Sequence, residues 1–382
     1  MYHLSVLFSS ILVLVNSALF KDYGIPGWAC EPQVMKRSAQ VPSSVHSLRF
    51  ADIDIIGALG DSLTAGNGAG ALNQNVQAVL QTENRGLVFS VGGDSDLNQH
   101  VSLANILKKF NPKLYGFSLG SGPVYDFGSA QFNAAVPGAK AINLTSQAID
   151  LVRRMRKSDK VDIAKSWKLV HIFIGGNDAC DWCANPQDET ADLFERRIID
   201  AIKILKENLP RTIVVITGMM DITILRDLGD KNEMCSVMHD KLCPCVQNKN
   251  FTTEQLRGLC KDYIGREMKI QNSGLFDGSD DFTVVVLPFL EDNNRAPLLV
   301  NGSVDLSLFA PDCFHFSAYG HAVVGKNLWN NLLQTIPHKP RTVDLTTVAS
   351  PLYCPNPECP FIRTTKNSFN CGKYWTSVSQ RR

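Results

Sequence analysis

The sequence lacks the features that mark several large classes of protein. It carries almost no surplus charge: 38 Lys and Arg against 37 Asp and Glu leave +1 over 382 residues. Nothing therefore points to nucleic acid or another polyanion as a partner. It has no low-complexity segment and no internal repeat, which argues against disordered arrays and solenoids. No apolar run reaches the roughly 20 residues that a membrane-spanning helix needs. The N-terminal run, Leu4 to Val15, falls short of that and gives way to Asn16, Ser17 and Ala18. It reads as a signal peptide, residues 1–18, even without a Lys or Arg before it. The tail from Thr376 to Arg382 carries no anchor signal.

Other features agree with export. There are eleven cysteines, a load expected of an oxidising compartment. Asn143-Leu-Thr145, Asn250-Phe-Thr252 and Asn301-Gly-Ser303 are acceptors for N-linked glycans. A secreted, disulfide-bonded glycoprotein is the expectation, with at least one cysteine left over.

Hydrophobic content of 44% and charged content of 20% describe an ordinary globular chain. Short apolar runs alternate with helical patterns. Strands are expected at Ile53–Leu59, Leu87–Val91, Trp167–Ile174, Thr212–Thr217 and Phe282–Leu287. Helices are expected at Leu103–Phe110, Ser146–Arg156, Ala191–Leu209, Thr253–Gln271 and Ser317–Leu333, with Ala134–Gly138 as loop. The connection 218–281 reads as one helix in an otherwise irregular, disulfide-stapled loop. Strands alternating with helices imply a parallel sheet covered on both faces. One large domain, 51–337, is expected between an arm at 19–50, tied down by Cys30, and a Cys- and Pro-containing tail at 338–382 laid over the domain.

The chemistry gathers where strands end. The first strand runs into Gly60-Asp61-Ser62, the second into Gly92-Gly93-Asp94, the third into Gly175-Gly176-Asn177-Asp178. Any one of these clusters is ordinary turn and cap chemistry. In a parallel sheet all three share one edge, where such folds bind ligands. Pro311-Asp-Cys-Phe-His315 adds a carboxylate three residues before an imidazole. A single turn lets Asp312 hold one ring nitrogen and leaves the other to take a proton from a serine hydroxyl, which is what activating Ser62 demands. The Ser62 and Gly93 N–H groups and the Asn177 amide are candidate donors to an oxyanion. Asp178 is the rival to Asp312 as the acidic member.

These blocks resemble, in order, those of the GDSL or SGNH hydrolases: Gly60-Asp61-Ser62-Leu63, Gly93, Gly176-Asn177-Asp178 and Asp312-x-x-His315. The likeness is closest to the phospholipase B branch, through Gly57–Gly70, Phe89–Asp94, Ala104–Pro112, Leu169–Asp178 and Asp312–Ser317, and covers roughly residues 45–365. It implies an SGNH-type α/β/α sandwich with a five-stranded, flavodoxin-like parallel sheet in a single domain. It also implies metal- and cofactor-free hydrolysis of phospholipid and lysophospholipid acyl esters at lipid surfaces. Membrane-bound members of that branch carry tandem repeats and an anchor, so attachment is not expected of this single unit. Esterases for retinyl, glyceride or small acetyl esters, and an inactive lipid-binding relative, stay open as alternatives.

Two other motifs carry less. Gly66-Asn-Gly-Ala-Gly-Ala71 fits a dinucleotide pattern, but its first glycine lies beyond the turn and only Glu83 could serve as the acidic partner. Cys180-Asp-Trp-Cys183 and Cys243-Pro-Cys245 lack a matching His pair for zinc; a local Cys180–Cys183 bridge bracing the Asn177 loop is the simpler expectation. Leu287–Leu290, Pro297–Val300 and Leu306–Ala310 put apolar residues in the loop before His315; part of this loop is expected to line an acyl-chain groove, with Leu298 and Leu299 as the residues to test.

Overall fold

The structure, a computed structural model, describes residues 22–71, 76–345 and 350–375; the expected signal peptide lies outside them. Four runs rich in β-branched residues form the sheet: β1 (Ile53–Gly60), β2 (Trp167–Phe173), β3 (Thr212–Thr217) and β4 (Phe282–Leu287). All pair in parallel in the order β1-β2-β3-β4. Nearly every residue of the four is buried, as expected where helices cover both faces.

The helices that matter for the site are α1 (Ser62–Ala65), α2 (Leu103–Phe110), α3 (Leu144–Lys157), α4 (Gly176–Asp181) and α5 (Ala191–Asn208). They are followed by α6 (Thr223–Lys231), α7 (Glu233–Leu242), α8 (Pro244–Gln247), α9 (Thr253–Asn272) and α10 (Ala318–Leu332). α3, α5 and α9 pack together as one group, and α2 packs with α10 as another. Side-chain caps start several of them: Ser102 for α2, Thr190 for α5 and Ser317 for α10. No helix among the described residues is long and apolar enough to cross a membrane.

Two expectations of secondary structure need correction. The fifth strand does not form: Arg85–Leu87 is a 3-10 turn, and the backbone after it adds only one parallel bridge, Gly92 with Ser118. The free edge of β1 is met instead by Tyr115, whose N–H and carbonyl bond Asp54 and Ile56 at 2.9 Å each. Val88–Gly92 has folded back on itself too tightly for a strand. A Cβ on Gly92 would stand 2.4 Å from the Val88 nitrogen. The 218–281 connection, in turn, is mainly helical. Ile224, Leu225 and Leu228 bury one face of α6, and the Arg226 guanidinium donates to the carbonyls of Val246 at 2.7 Å and Phe251 at 3.1 Å, gathering the following turns.

Five disulfides join the described parts. Cys30–Cys354 ties the arm to the tail, and Cys359–Cys371 closes a loop within the tail. Cys180–Cys243 and Cys183–Cys245 bind α4 and the residues after it to the α7–α8 region, so the local Cys180–Cys183 bridge does not exist. Cys235–Cys313 anchors α7 beside the Asp312 turn. Cys260 is free and buried. The tail lies over the arm through Ile362 N–H to the Leu48 carbonyl and the Asn367 amide to the His46 carbonyl, both 2.8 Å.

α9 also completes the sheet's end. Gln271 accepts the Val286 N–H at 2.8 Å, and Glu267 accepts the Met219 N–H, just past β3, at 2.9 Å. Glu267 is fully buried, and burial, with Glu291 nearby adding to it, pushes its carboxyl up to about 8 despite the Met219 hydrogen bond. A carboxyl raised in the fold stabilises it fully below its unfolded pKa, about 4.5, and loses that contribution as pH climbs towards 8. Glu267→Gln keeps the acceptor and removes the titration. Urea unfolding at pH 5 and pH 8 should show wild type losing more stability over that interval than the variant, by on the order of 1–3 kcal/mol; equal losses would place the slope elsewhere.

Candidate active site

β1 ends against α1 with no room for a side chain at the junction. A Cβ on Gly60 would stand 2.4 Å from Thr64 Oγ1 and 2.6 Å from the Phe173 carbonyl. Gln147 of α3 grips this glycine at both ends, its Oε1 accepting the Gly60 N–H and its Nε2 donating to the Gly60 carbonyl, each at 2.8 Å. Asp61 caps α1 through the Leu63 N–H at 2.9 Å. Burial pushes the Asp61 carboxyl up to about 6, against the lowering effect of that hydrogen bond and of His315. Ser62 is thus the first residue of a one-turn helix, and its N–H has no carbonyl partner within the helix. Nothing in the sequence pattern singled out Gln147; its position in an amphipathic helix gave no signal of a buried amide.

His315 belongs to the segment after β4, at the far end of the strand order from β1 and Ser62. Asp312 builds the turn that presents it: Oδ1 accepts the N–H groups of Phe314 and His315, both at 3.0 Å, while Oδ2 lies 2.6 Å from His315 Nδ1. His315 Nε2 lies 2.8 Å from Ser62 Oγ. With Nδ1–H donated to the carboxylate, Nε2 is the acceptor for the serine hydroxyl. All three residues are buried, Asp312 completely. Burial alone would raise the Asp312 carboxyl; the hydrogen bond and charge of His315, with the two backbone N–H groups, outweigh it and hold the pKa below 3.8. The turn is strained at Cys313, whose φ is +56°. It is braced there by the disulfide to Cys235, by His239 Nε2 donating to the Cys313 carbonyl at 2.8 Å, and by Ala310 N–H to the His315 carbonyl at 2.7 Å.

Asp178 points elsewhere. Both its oxygens accept the Ala141 N–H, at 3.0 and 3.1 Å, and Arg197 stands 3.9 Å away. Burial, with Glu189 nearby, pushes its carboxyl up. Asn177 donates one amide proton to the Ala139 carbonyl at 2.9 Å and keeps a second. Val136 N–H reaches the Gly60 carbonyl at 3.2 Å. Three contacts therefore stitch the 136–141 loop against Gly60, Asn177 and Asp178.

The Gly93 N–H is already engaged, donating to the Ser118 carbonyl at 2.8 Å, while its own carbonyl takes the Lys108 ammonium at 2.9 Å. A Cβ there would overlap the Phe117 ring at 2.1 Å. Gly138 precedes Ala139, whose carbonyl Asn177 holds, and lies in the turn closed by Ala139 N–H to the Val136 carbonyl. Its φ is +75°, and no atom lies within 4 Å of where a Cβ would stand. The glycines after Ser62 are structural: Gly68 donates to the Thr82 carbonyl, Gly70 to Asn84 Oδ1, and the Gly66 carbonyl accepts the Asn84 N–H, each at 2.9 Å. Glu83 pairs with Arg85. Asn143, Asn250 and Asn301 are all exposed. Leu298 and Leu299 are each 47% exposed on a hairpin whose tip is Val300. The enclosed apolar space beside Ser62 is built by other residues, Phe173, Ile174, Met219, Met220 and Ile222 among them.

The sequence model of the GDSL-like lipase/acylhydrolase family matches residues 56–328. The chain is 43% identical to "Phospholipase B1, membrane-associated" of Mus musculus over 349 residues, 90% of this chain and 23% of that protein. It is 41% identical to the Homo sapiens protein of the same description over 349 residues, 90% and 24%. The chain spans about a quarter of the length of these curated relatives. Among solved structures it is similar to an acetyl xylan esterase, with TM-score 0.35 and 17% identity over 72% of this chain and 98% of the other. An extracellular lipase from Streptomyces rimosus gives TM-score 0.30 and 15% identity over 70% and 94%.

The two aspartates separate experimentally. Asp312→Asn is expected to lower turnover of an activated ester by about 10⁴-fold with the fold retained. Asp178→Asn keeps one oxygen for the Ala141 N–H, gives up only the long contact to Arg197, and is expected to stay within about tenfold of wild type. The reverse order would assign the histidine's partner to Asp178.

Proposed function

The chain belongs to the GDSL-like lipase/acylhydrolase family, and on that footing we propose that it is a secreted serine esterase acting on the acyl bonds of phospholipids and lysophospholipids. The observation that carries this reading is the hydrogen-bonded chain from Asp312 through His315 to Ser62, at 2.6 and 2.8 Å. His315 Nε2 takes the hydroxyl proton as Ser62 Oγ attacks the ester carbonyl. Asp312 holds the ring in the tautomer that can accept it and stabilises the imidazolium that results. The carbonyl oxygen, now anionic, is met by the Ser62 N–H and the second amide proton of Asn177. The third donor expected from the sequence, the Gly93 N–H, is engaged elsewhere. Gly138 takes that role, its backbone set beside Asn177 by the Ala139 contact.

Collapse of the tetrahedral intermediate expels the alcohol, which leaves with the proton from His315. Water, activated by the same ring, then hydrolyses the acyl-Ser62 ester and regenerates the enzyme. Each oxyanion donor is worth about 2.7–4 kcal/mol of barrier in comparable sites. The phospholipid assignment draws on the 41–43% identity to proteins described as phospholipase B1. Export is supported by the five disulfides.

The test is product analysis. Purified protein with defined phosphatidylcholine and lysophosphatidylcholine, in excess chelator, should release free fatty acid and the deacylated headgroup compound. Ser62→Ala should release none above background. Undiminished hydrolysis by that variant would remove the proposal.

A further inference from the structure

We propose that the crevice beside Ser62, closed by Met219 and Met220, receives the acyl chain of the substrate, and that these two methionines set how long a chain it accepts. This rests on the esterase reading above. The crevice is flanked by Asp61 and Leu63, the residues on either side of the nucleophile, and by Gly176, next to Asn177. Flanked by the neighbours of both Ser62 and Asn177, the crevice adjoins the place where a carbonyl between the serine and that amide would sit. Apart from Asp61, whose Oδ1 is occupied by the Leu63 N–H, the walls are apolar, with Ile174, Met219 and Ile222 almost fully buried and Met220 7% exposed. An apolar lining next to reacting polar groups is the environment that an acyl chain requires.

Size makes the methionines decisive. The space is about 20 Å³, where one water-sized group needs at least 10–15 Å³. At rest it accommodates a methyl-sized group, so a longer chain enters only if the wall yields. Methionine is suited to that, being unbranched and adaptable. The main chain here does not yield: Met219 N–H is held by Glu267, and Gly218 N–H donates to the Leu287 carbonyl at 2.9 Å. Behind the wall, a Cβ on Gly175 would stand 2.9 Å from Met219 Sδ and 3.1 Å from Phe194. The missing side chain there keeps Met219 from being forced forward. The exposed Leu298–Leu299 hairpin offers no such enclosure.

The experiment measures kcat/KM for p-nitrophenyl acetate, butyrate, octanoate and laurate in wild type, Met219→Ala, Met220→Ala and Met220→Trp, with Ser62→Ala as background. Removing a methionine should raise the octanoate-to-acetate ratio about tenfold, and Met220→Trp should lower it by a similar factor, in line with what a few methylenes are worth in an apolar pocket. Ile222→Ala supplies a second enlargement from another wall should Met219→Ala fail to fold. Ratios within about twofold of wild type in every folded variant, with Ser62-dependent hydrolysis intact, would overturn this inference and leave the esterase reading standing. Absence of Ser62-dependent hydrolysis of any ester by wild type would overturn both.

Discussion

The arrangement depends on one imidazole held at both nitrogens. His315 lies between the Asp312 carboxylate and the Ser62 hydroxyl, with 253 positions separating the serine from the ring in sequence. The sheet makes this demanding. Ser62 follows β1 and His315 follows β4, and these are the outer strands of the order β1-β2-β3-β4. Three strand spacings, roughly 14 Å, separate them. The segment after β4 must therefore return across the carboxyl ends of the strands. Much of what looks like ornament in the fold secures that return. The Cys235–Cys313 bridge and the His239 contact fix the turn to α7, and Ala318 N–H to the Ala69 carbonyl at 2.8 Å docks the start of α10 beside the loop after Ser62.

The second constraint is that the groups around Ser62 are buried and polar, so each needs a partner. Gln147 satisfies both backbone groups of Gly60, Asp178 takes Ala141, and Asn177 takes Ala139. The same bonds that satisfy buried groups also fix the 136–141 loop at the mouth. Asp178 and Asp312 illustrate how environment divides roles: burial drives the first towards its neutral form, whereas His315 and two backbone N–H groups hold the second ionised.

The parts of this organisation that rest on local pattern were legible in the sequence. Buried strands announce themselves by apolar runs, and Asp312-x-x-His315 needs only one turn to pair, so spacing alone favoured it over Asp178. Long-range facts were not legible. Leu87–Val91 has strand composition, yet whether it pairs depends on Gly92 packing against Val88. Gly93 and Gly138 look alike as letters, and only the fold shows the first with its N–H engaged by Ser118 and the second in the turn before Ala139, whose carbonyl Asn177 holds. Disulfide partners follow from where α7 and α8 dock, not from the spacing of Cys180 and Cys183. Within the loop expected to line the acyl-chain groove, Leu298 and Leu299 are exposed on a hairpin, while the apolar crevice beside the nucleophile lies at the ends of β2 and β3.

The central claim is that Ser62 is a nucleophile activated by His315. Its most direct measurement is covalent: treat the native protein with a fluorophosphonate, digest it, and locate the adduct by mass spectrometry. The account predicts a single adduct on Ser62, formed rapidly in wild type and slowed by orders of magnitude in His315→Ala with the fold intact. An adduct on another residue, or equal labelling of Ser62 with and without the imidazole, would contradict it.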